Sequence, residues 1–375
     1  MLQSIPMVNL QAQYLRFKSE LDEAVIQTMA KADYIQGNNV RQFENELAEM
    51  LNVKHVISCA NGTDALQIAF MALNLPVGSE IIVPTFAYAA LAEVLLLLKL
   101  VPVFVDVHTE GYLMDVDAIE SKIGPKTKAI APVHLFGETV NMAKVLTLAE
   151  KHQLFVVEDT AQAIGSIYCG EGISGFAGTL GNIGTTSFFP SKNLGCFGDG
   201  GAIFTNDDVL ATKMRMIANH GQSKKYIHDI IGLNSRLDTI QASILRVKLK
   251  YLKEFTSSRQ KIAERYFDAF KDIQGIIVPQ KNEFSTHVYH QFTIQMESES
   301  NRDALREYLS SAGISTMVYY LLPLHKQKAY STKDVLPLSE DLSKRVLSLP
   351  ICPELSKENQ EFIIKKIIEF TQKLK

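Results

Sequence analysis

The feature that most constrains the fold is a regular alternation of short β-branched runs with longer helical periods, from about residue 17 to residue 250. The runs lie at 56–59, 80–83, 102–106, 129–133 and 154–158, and helical patterns at 63–73, 87–98 and 142–151 lie between them. Such alternation predicts βαβ units and a mostly parallel sheet. Because the runs lack polar alternation, we expect an α/β fold with helices on both faces, a three-layer αβα arrangement.

The pattern changes near residues 248–265, where a charge-rich helical segment leads into a mixed region. We therefore expect a large domain at 1–250, with roughly the first 16 residues as an arm, and a small α+β domain at 251–375. In the small domain we expect strands at 289–295 and 315–320 and a packing helix at 356–375. A chain of 375 residues is long enough for two such domains.

Composition excludes several classes of protein. The formal net charge is −3 and the basic residues are scattered, which argues against a nucleic-acid partner. The most apolar window, 89–105, is interrupted by charges and by Pro102, so we expect no membrane span there, and we expect no export signal in the first ten residues. The four cysteines lie far apart without metal-ligand spacing, which indicates reduced thiols, no metal site and a cytoplasmic protein.

Lys192 is the candidate nucleophile. The segment Thr186–Gly201 holds it between aromatic residues and a glycine-dense loop. A partly desolvated lysine loses the stability of its charged form, so its amine becomes available to attack a carbonyl. The alternative is a surface lysine beside a flexible turn.

An acidic segment follows the run at 154–157 directly, beginning Glu158-Asp159-Thr160. It places Asp159 at the carboxyl end of a parallel strand, where α/β sheets collect ligands. A carboxylate there can keep a heterocycle's ring nitrogen protonated, as pyridoxal phosphate requires to act as an electron sink. The alternative is that Asp159 simply caps the next segment.

A third segment, Cys59–Leu66, predicts an anion site. Gly62, Thr63 and Asp64 open a helix there, and its exposed N–H groups suit a phosphate because Gly62 allows close approach. The alternative is ordinary helix capping. The spelling Gly170-Glu-Gly-Ile-Ser-Gly175 matches a dinucleotide-binding fingerprint, but no strand feeds it and no helix follows, so we expect a loop.

Together these segments resemble the DegT/DnrJ-type sugar aminotransferases, which are pyridoxal-phosphate enzymes of fold type I, the aspartate aminotransferase-like fold. The resemblance covers nearly the whole chain. It rests on seven motifs in order: Asn61–Leu66, Pro132–Gly137, Glu158–Gln162, Ser187–Lys192, Gly198–Gly201, Asn234–Asp238 and Pro323–His325.

The resemblance implies roles for individual residues. Lys192 would carry the cofactor covalently and move the proton between substrate and cofactor, and Asp159 would pair with the pyridinium nitrogen. Gln162 would lie near the phenolic oxygen, and Tyr88 would stack on the ring. The phosphate would contact Gly62, Thr63, Asp64 and Ser187, and Asn234 would reach the partner subunit's phosphate site, which implies a homodimer with shared active sites. The substrate-side residues would be Tyr319, Tyr320 and His325.

The resemblance also implies a reaction. An amino acid, L-glutamate, would donate its nitrogen to a nucleotide-linked keto sugar, UDP- or dTDP-linked, for bacterial surface polysaccharide or lipopolysaccharide synthesis. Phe189 and Pro190 resemble the members that act at C3, whereas those with Ser-Phe-His around the lysine act at C4. The segment Asp229–Gly232 lacks the arginine of the uronate-specific members, which argues against a sugar carboxylate. The alternatives are a 4-aminotransferase, a sugar dehydratase, which would replace Lys192 with histidine, or a non-catalytic regulatory protein.

Overall fold

The computed structural model describes residues 4–108 and 111–373, so residues 1–3 of the expected arm and residues 374–375 of the expected last helix lie outside it. Within this range the helices are α1 Leu10–Arg16, α2 Lys18–Lys31, α3 Asn38–Leu51, α4 Gly62–Leu73, α5 Ala90–Leu97, α6 Met142–His152, α7 Asp208–Ala218, α8 Thr239–Leu249, α9 Leu252–Phe270, α10 Glu299–Ser311, α11 Pro337–Arg345 and α12 Lys357–Lys373. Among these residues no helix combines the length and the apolar character that a membrane span needs.

The strands are β1 His55–Cys59, β2 Glu80–Pro84, β3 Val101–Val105, β4 Thr127–Ile130, β5 Phe155–Asp159, β6 Ile167–Gly170, β7 Ile173–Phe176, β8 Ile183–Ser187, β9 Gly201–Thr205, β10 Gln222–Lys224, β11 Ile227–His228, β12 Ile276–Ile277, β13 Phe292–Met296 and β14 Val346–Leu349. Seven of them form the central sheet, in the order β1-β9-β8-β5-β4-β2-β3. Six run in one direction, and β9 runs against its neighbours β1 and β8. The expected mostly parallel sheet is confirmed.

Both faces of the central sheet are covered. Consecutive residues are buried along β5, β8 and β9, which a strand exposed on one face would not show. The helices expected at 63–73, 87–98 and 142–151 are also confirmed, as α4, α5 and α6. Their apolar residues join those of the strands in the main core.

The smaller sheet has the order β12-β13-β14 and lies against a second apolar core that includes Tyr266, Leu305 and Ile363. The strand expected at 315–320 is wrong. In that segment Met317 makes an isolated bridge to Ser348, the preceding Ile314 makes another to Ile5, and β14 takes the place beside β13. Its β-branched and aromatic residues gave the pattern of a strand, but the backbone leaves the sheet and brings its last residues to the cavity described below. The domain boundary at residue 250 stays a prediction.

The loop expected at 170–175 is wrong: strand β6 leads directly into this segment, Glu171 and Gly172 form the turn of a hairpin, and residues 173–175 belong to β7. Glu171 and Gly172 both have positive φ, 50° and 79°, as a two-residue hairpin turn of this hand requires. The dinucleotide-binding interpretation is therefore excluded by the local structure, as the missing helix predicted.

Candidate active site

A cavity of about 510 Å³ opens at the carboxyl edge of the central sheet, where β5 and β8 end and α4 begins. Its position is the one that the parallel sheet predicts for a ligand. Its walls also receive residues from the segments before β13 and before α11. The lining residues used below are Gly62, Thr63, Tyr88, Asp159, Gln162, Ser187, Lys192, His290, Gln291, Tyr319 and Tyr320.

Lys192 lies in a tight turn after β8. The turn is closed by backbone hydrogen bonds from Lys192 N to Phe189 O (2.8 Å) and from Cys196 N to Phe188 O (2.7 Å). Burial lowers the pKa of Lys192 to about 8, and the negative charge of Asp159 opposes that shift. The structure therefore favours the nucleophile over the solvated surface lysine, because the amine is partly neutral near physiological pH.

Asp159 is the last residue of β5, and its side chain lines the same cavity. One carboxylate oxygen, Oδ1, accepts the backbone N–H of Ala161 at 2.9 Å. Burial raises its pKa, and the Ala161 N–H, Lys192 and His134 act in the opposite direction. The carboxyl therefore lies in a desolvated position where a cationic partner would favour its charged form.

Gly62 and Ser187 touch across the cavity floor, at the start of α4 and the end of β8. A Cβ added at Gly62 would lie 2.6 Å from the Cβ of Ser187, so only glycine allows the two segments to approach this closely. The hydroxyl of Ser187 accepts the N–H of Phe189 at 3.2 Å. Thr63 follows in the first turn of α4, so a hydroxyl and a helix amino terminus face one space, an arrangement that suits a phosphate.

Gln162 and Tyr320 join two walls of the cavity. The amide of Gln162 accepts the N–H of Phe136 (2.7 Å) and donates to the hydroxyl of Tyr320 (3.1 Å). Burial raises the pKa of Tyr320, which keeps its hydroxyl protonated. Tyr319 and Tyr88 also line the cavity, and Tyr88 is 66% exposed, so its ring is available to a ligand.

Three predicted residues lie outside the cavity lining. The backbone N–H of Asp64 is donated to the side chain of Asn61 (2.8 Å), which caps α4, so helix capping describes this position better than a phosphate contact. His325 is fully buried between the Thr85 hydroxyl (2.7 Å) and Glu340 (3.1 Å), and it packs as a core histidine rather than as a substrate contact. Asn234 is exposed in an isolated bridge with Asn219, and its reach into a partner subunit stays a prediction.

Sequence reasoning missed His290 and Gln291, which enter the cavity from the segment before β13. His290 is 5% exposed and its Nδ1 lies 3.3 Å from the side-chain oxygen of Asn193. Because the Asn193 amide nitrogen donates to the carbonyl of Val288 (3.1 Å), its oxygen is the acceptor and Nδ1 of His290 carries the proton. Burial and the charges of Lys192 and Arg259 hold the pKa of His290 well below its usual value, so the ring is neutral. The available signal was a polar His-Gln pair opening an apolar strand.

Residues 16–368 match the model of the DegT/DnrJ/EryC1/StrS aminotransferase family. The chain belongs to this family. The solved structure of ntda from Bacillus subtilis, which is 29% identical with a TM-score of 0.90, has the cofactor PMP bound. This protein is a pyridoxal-phosphate-dependent aminotransferase with an aspartate aminotransferase-like fold. The resemblance inferred from the seven motifs is confirmed.

Several relatives span almost the full length of this aminotransferase. A UDP-N-acetyl-3-dehydro-alpha-D-glucosamine 3-aminotransferase of Acidithiobacillus ferrooxidans is 43% identical and covers 95% of both chains. A UDP-2-acetamido-2-deoxy-3-oxo-D-glucuronate aminotransferase of Pseudomonas aeruginosa is also 43% identical, over 94% of this chain and 96% of its own. A protein of Geobacillus stearothermophilus named pleiotropic regulatory protein is 40% identical over 98% of each chain. The solved structure of S. venezuelae DesV in complex with a ketimine intermediate is 36% identical, with a TM-score of 0.94 over 98% of this chain and 99% of that one.

Proposed function

We propose that this aminotransferase moves an amino group from L-glutamate to C3 of a nucleotide-linked keto sugar, for bacterial surface polysaccharide or lipopolysaccharide synthesis. The observation that carries the proposal is the convergence of Lys192, Asp159 and the Gly62–Ser187 contact on one cavity. Two relatives at 43% identity are named for amino transfer to 3-keto UDP sugars, which supports C3 and a UDP sugar.

The cavity residues fit pyridoxal phosphate. The close contact of Gly62 with Ser187 leaves a cradle that an added Cβ would fill, and Thr63 and Ser187 supply hydroxyls beside it. Asp159 offers a desolvated carboxylate for a protonated ring nitrogen, and Lys192 offers an amine for the aldehyde. When bound, the cofactor supplies an electron sink for the carbon that exchanges nitrogen and hydrogen.

Lys192 is the residue that moves protons in this proposal. With a pKa lowered to about 8, its Nζ can both accept and return a proton near neutral pH, which general acid–base catalysis requires. Asp159 would supply the negative charge that favours a protonated ring nitrogen. Tyr320, whose hydroxyl already accepts from Gln162, keeps its own proton to donate to a substrate oxygen.

The sugar we propose carries no carboxylate at C6. One 43% relative is named for a glucuronate, so identity alone does not choose between the two sugars. The segment Asp229–Gly232 contains no arginine, and a carboxylate would lack the planar fork that pairs best with it.

A direct test combines trapping and turnover. After borohydride reduction of the purified protein with pyridoxal phosphate, peptide mapping should find the label on Lys192 and nowhere else. Glutamate and a panel of UDP- and dTDP-linked 3- and 4-keto sugars, with and without a carboxylate at C6, should then yield a product of amino-sugar mass from the 3-keto UDP sugar. Product from 4-keto sugars alone would show a 4-aminotransferase, and trapping without any product would favour the regulatory alternative.

We also propose a homodimer in which Asn234 completes the partner's phosphate site. The variants K192A and N234A should each be inactive. Mixed and allowed to exchange subunits, they should recover about one quarter of wild-type activity, because half of the dimers pair the two variants and each of these has one intact site. If Asn234 acts within its own chain, no mixture recovers activity.

A further inference from the structure

Glu158, the neighbour of Asp159, plays no part in the chemistry proposed above, although it belongs to the same motif. Successive side chains of a strand point to opposite faces, so Glu158 points away from the cavity that Asp159 lines. Its side chain is completely buried. A buried carboxylate is costly unless donors surround it, so its partners indicate its role.

Four donors converge on the Glu158 carboxylate. Oε2 accepts the N–H of Gly178 and the Nε2 of His134, both at 2.9 Å, and Oε1 accepts the N–H of Leu180 at 2.9 Å and of Gly181 at 2.5 Å. The His134 bond has a fixed direction. Nδ1 of His134 accepts the N–H of Val140 at 3.1 Å, so Nε2 carries the ring proton and donates it.

Three of these donors belong to the turn 178–181, which leads directly into β8. The turn lies on β8 itself, because a Cβ added at Gly184 would be 2.0 Å from the carbonyl oxygen of Gly178. Strand β8 pairs with β5 so that Gly184 faces Glu158 and Thr185 faces Asp159. A displacement of the turn would therefore displace β8 relative to the acid that lines the cavity.

Strand β8 ends at Ser187, whose Cβ is in the close contact with Gly62 described above. Because Gly62 and Ser187 are packed so closely, a shift of β8 by a few tenths of an ångström would change the space between Ser187 and the start of α4. This is the space that the proposed function assigns to the cofactor phosphate.

We propose that Glu158 is a positioning residue for the phosphate site: by anchoring the turn 178–181 it fixes β8, and with it Ser187, against Gly62. The proposal rests on the proposed function, since it assumes that a cofactor phosphate occupies this cradle. The glutamate acts through the strand and touches neither substrate nor cofactor.

Glutamine cannot replace this carboxylate. A carboxylate only accepts hydrogen bonds, whereas a glutamine amide has one accepting oxygen and one donating nitrogen. In E158Q the amide nitrogen of the new side chain takes the place of one carboxylate oxygen. In one orientation it faces the protonated Nε2 of His134 and the N–H of Gly178. In the other it faces the N–H groups of Leu180 and Gly181. In either orientation the amide nitrogen, which can only donate, faces two other donors that lose their acceptor.

The matched control is D106N. Asp106 is also a carboxylate at the end of a strand of this sheet, and it accepts backbone N–H groups from Leu338 (3.0 Å) and Ser339 (2.8 Å), but it lies outside the cavity lining. Both variants lose an anchoring carboxylate, so both should unfold at lower temperature than the wild type. Only E158Q should affect the phosphate site.

Two measurements test the proposal. Titration of each apoprotein with pyridoxal phosphate, followed by absorbance, should show affinity at least about tenfold weaker for E158Q and unchanged for D106N. Hydrogen exchange of the apoproteins, followed by mass spectrometry, should show faster exchange in peptides covering 177–187 for E158Q alone. If E158Q does not fold, E158D, which keeps the charge but shortens the reach, is measured in the same way and should shift both quantities in the same direction.

The outcomes separate this proposal from the proposed function. Wild-type affinity in E158Q, or an equal loss in D106N, overturns the positioning role. Unchanged exchange in 177–187 overturns the anchoring of β8, whether or not a cofactor binds. A wild-type protein that binds no pyridoxal phosphate refutes the proposed function instead, and the exchange experiment still decides whether Glu158 holds the strand.

Discussion

The pKa of Lys192 gives a prediction that needs no substrate. At pH 7.5 an amine with a pKa of about 8 is about one quarter neutral, whereas an ordinary lysine near 10.5 is about one part in a thousand neutral. In the apoprotein, Lys192 should therefore react with an amine-specific reagent such as trinitrobenzenesulfonate on the order of a hundred times faster than a lysine whose pKa is near 10.5. The rate, plotted against pH, should reach its half-point near 8.

The direction in which Asp159 shifts the pKa of Lys192 gives a second expectation. Its negative charge raises the pKa of Lys192 against the larger effect of burial, so D159N should lower the half-point and speed labelling at neutral pH, even though the variant loses transaminase activity. Since the folded state binds fewer protons at Lys192 than the unfolded state between about pH 8 and 10.5, this residue makes the apoprotein more stable as pH rises through that window.

The assay is labelling across pH 6 to 11, followed by digestion and quantitation of the peptide that contains Lys192. Lys248 provides an internal contrast, because burial also lowers its pKa to about 8, but it is only 1% exposed and should resist the reagent. Pyridoxal phosphate should protect Lys192. A half-point near 10.5, or a higher half-point in D159N than in the wild type, would refute the reasoning that burial and Asp159 together determine the pKa of the Lys192 amine.

Three further outcomes follow from the structure. G62A should weaken pyridoxal phosphate binding at least about tenfold in an absorbance titration, because the new methyl group would lie 2.6 Å from the Cβ of Ser187. Y320F should bind the cofactor normally but lose turnover with the keto sugar, since it removes only the hydroxyl that contacts Gln162 (3.1 Å), and steady-state kinetics would separate the two effects. R259M should destabilise the protein by about 3 kcal/mol in urea unfolding, because its buried guanidinium donates to backbone carbonyls at 2.8 and 3.1 Å that would lose their partner, whereas R259K should lose less.

The parts of the site that the sequence predicted lie at strand ends. Asp159 ends β5 and Gly62 begins the helix after β1, so the rule that parallel strands bring their carboxyl ends to one edge was enough to expect these two near each other, whereas Ser187 ends β8, a strand that the sequence analysis did not predict, and was placed by the resemblance. Lys192, which follows β8 by five residues, was predicted instead from its aromatic and glycine-rich neighbours in the sequence. These residues are close in space because the sheet topology makes them so.

No comparable rule predicts the cavity residues that come from outside the central sheet. His290 comes from the segment before β13, and its contact with Asn193 spans 97 positions, which periodicity does not encode. Tyr319 and Tyr320 were placed by resemblance, while the strand expected around them does not form. His325 shows the opposite failure: a polar residue in a family motif that the fold uses to join Thr85 and Glu340 inside the core.

The adjacent acids Glu158 and Asp159 show why a motif is not a list of contacts. Strand alternation sends them to opposite faces, and their surroundings then separate their properties. Glu158 meets four donors and is satisfied without any ligand, whereas burial raises the pKa of Asp159, which has a single backbone donor on Oδ1 and faces the cavity. A cationic ligand group would therefore be stabilised at Asp159 and would gain nothing at Glu158, although the two carboxyls are one residue apart. A mutation of Asp159 should accordingly change the chemistry at the cofactor ring, whereas a mutation of Glu158 should change the geometry of the phosphate site.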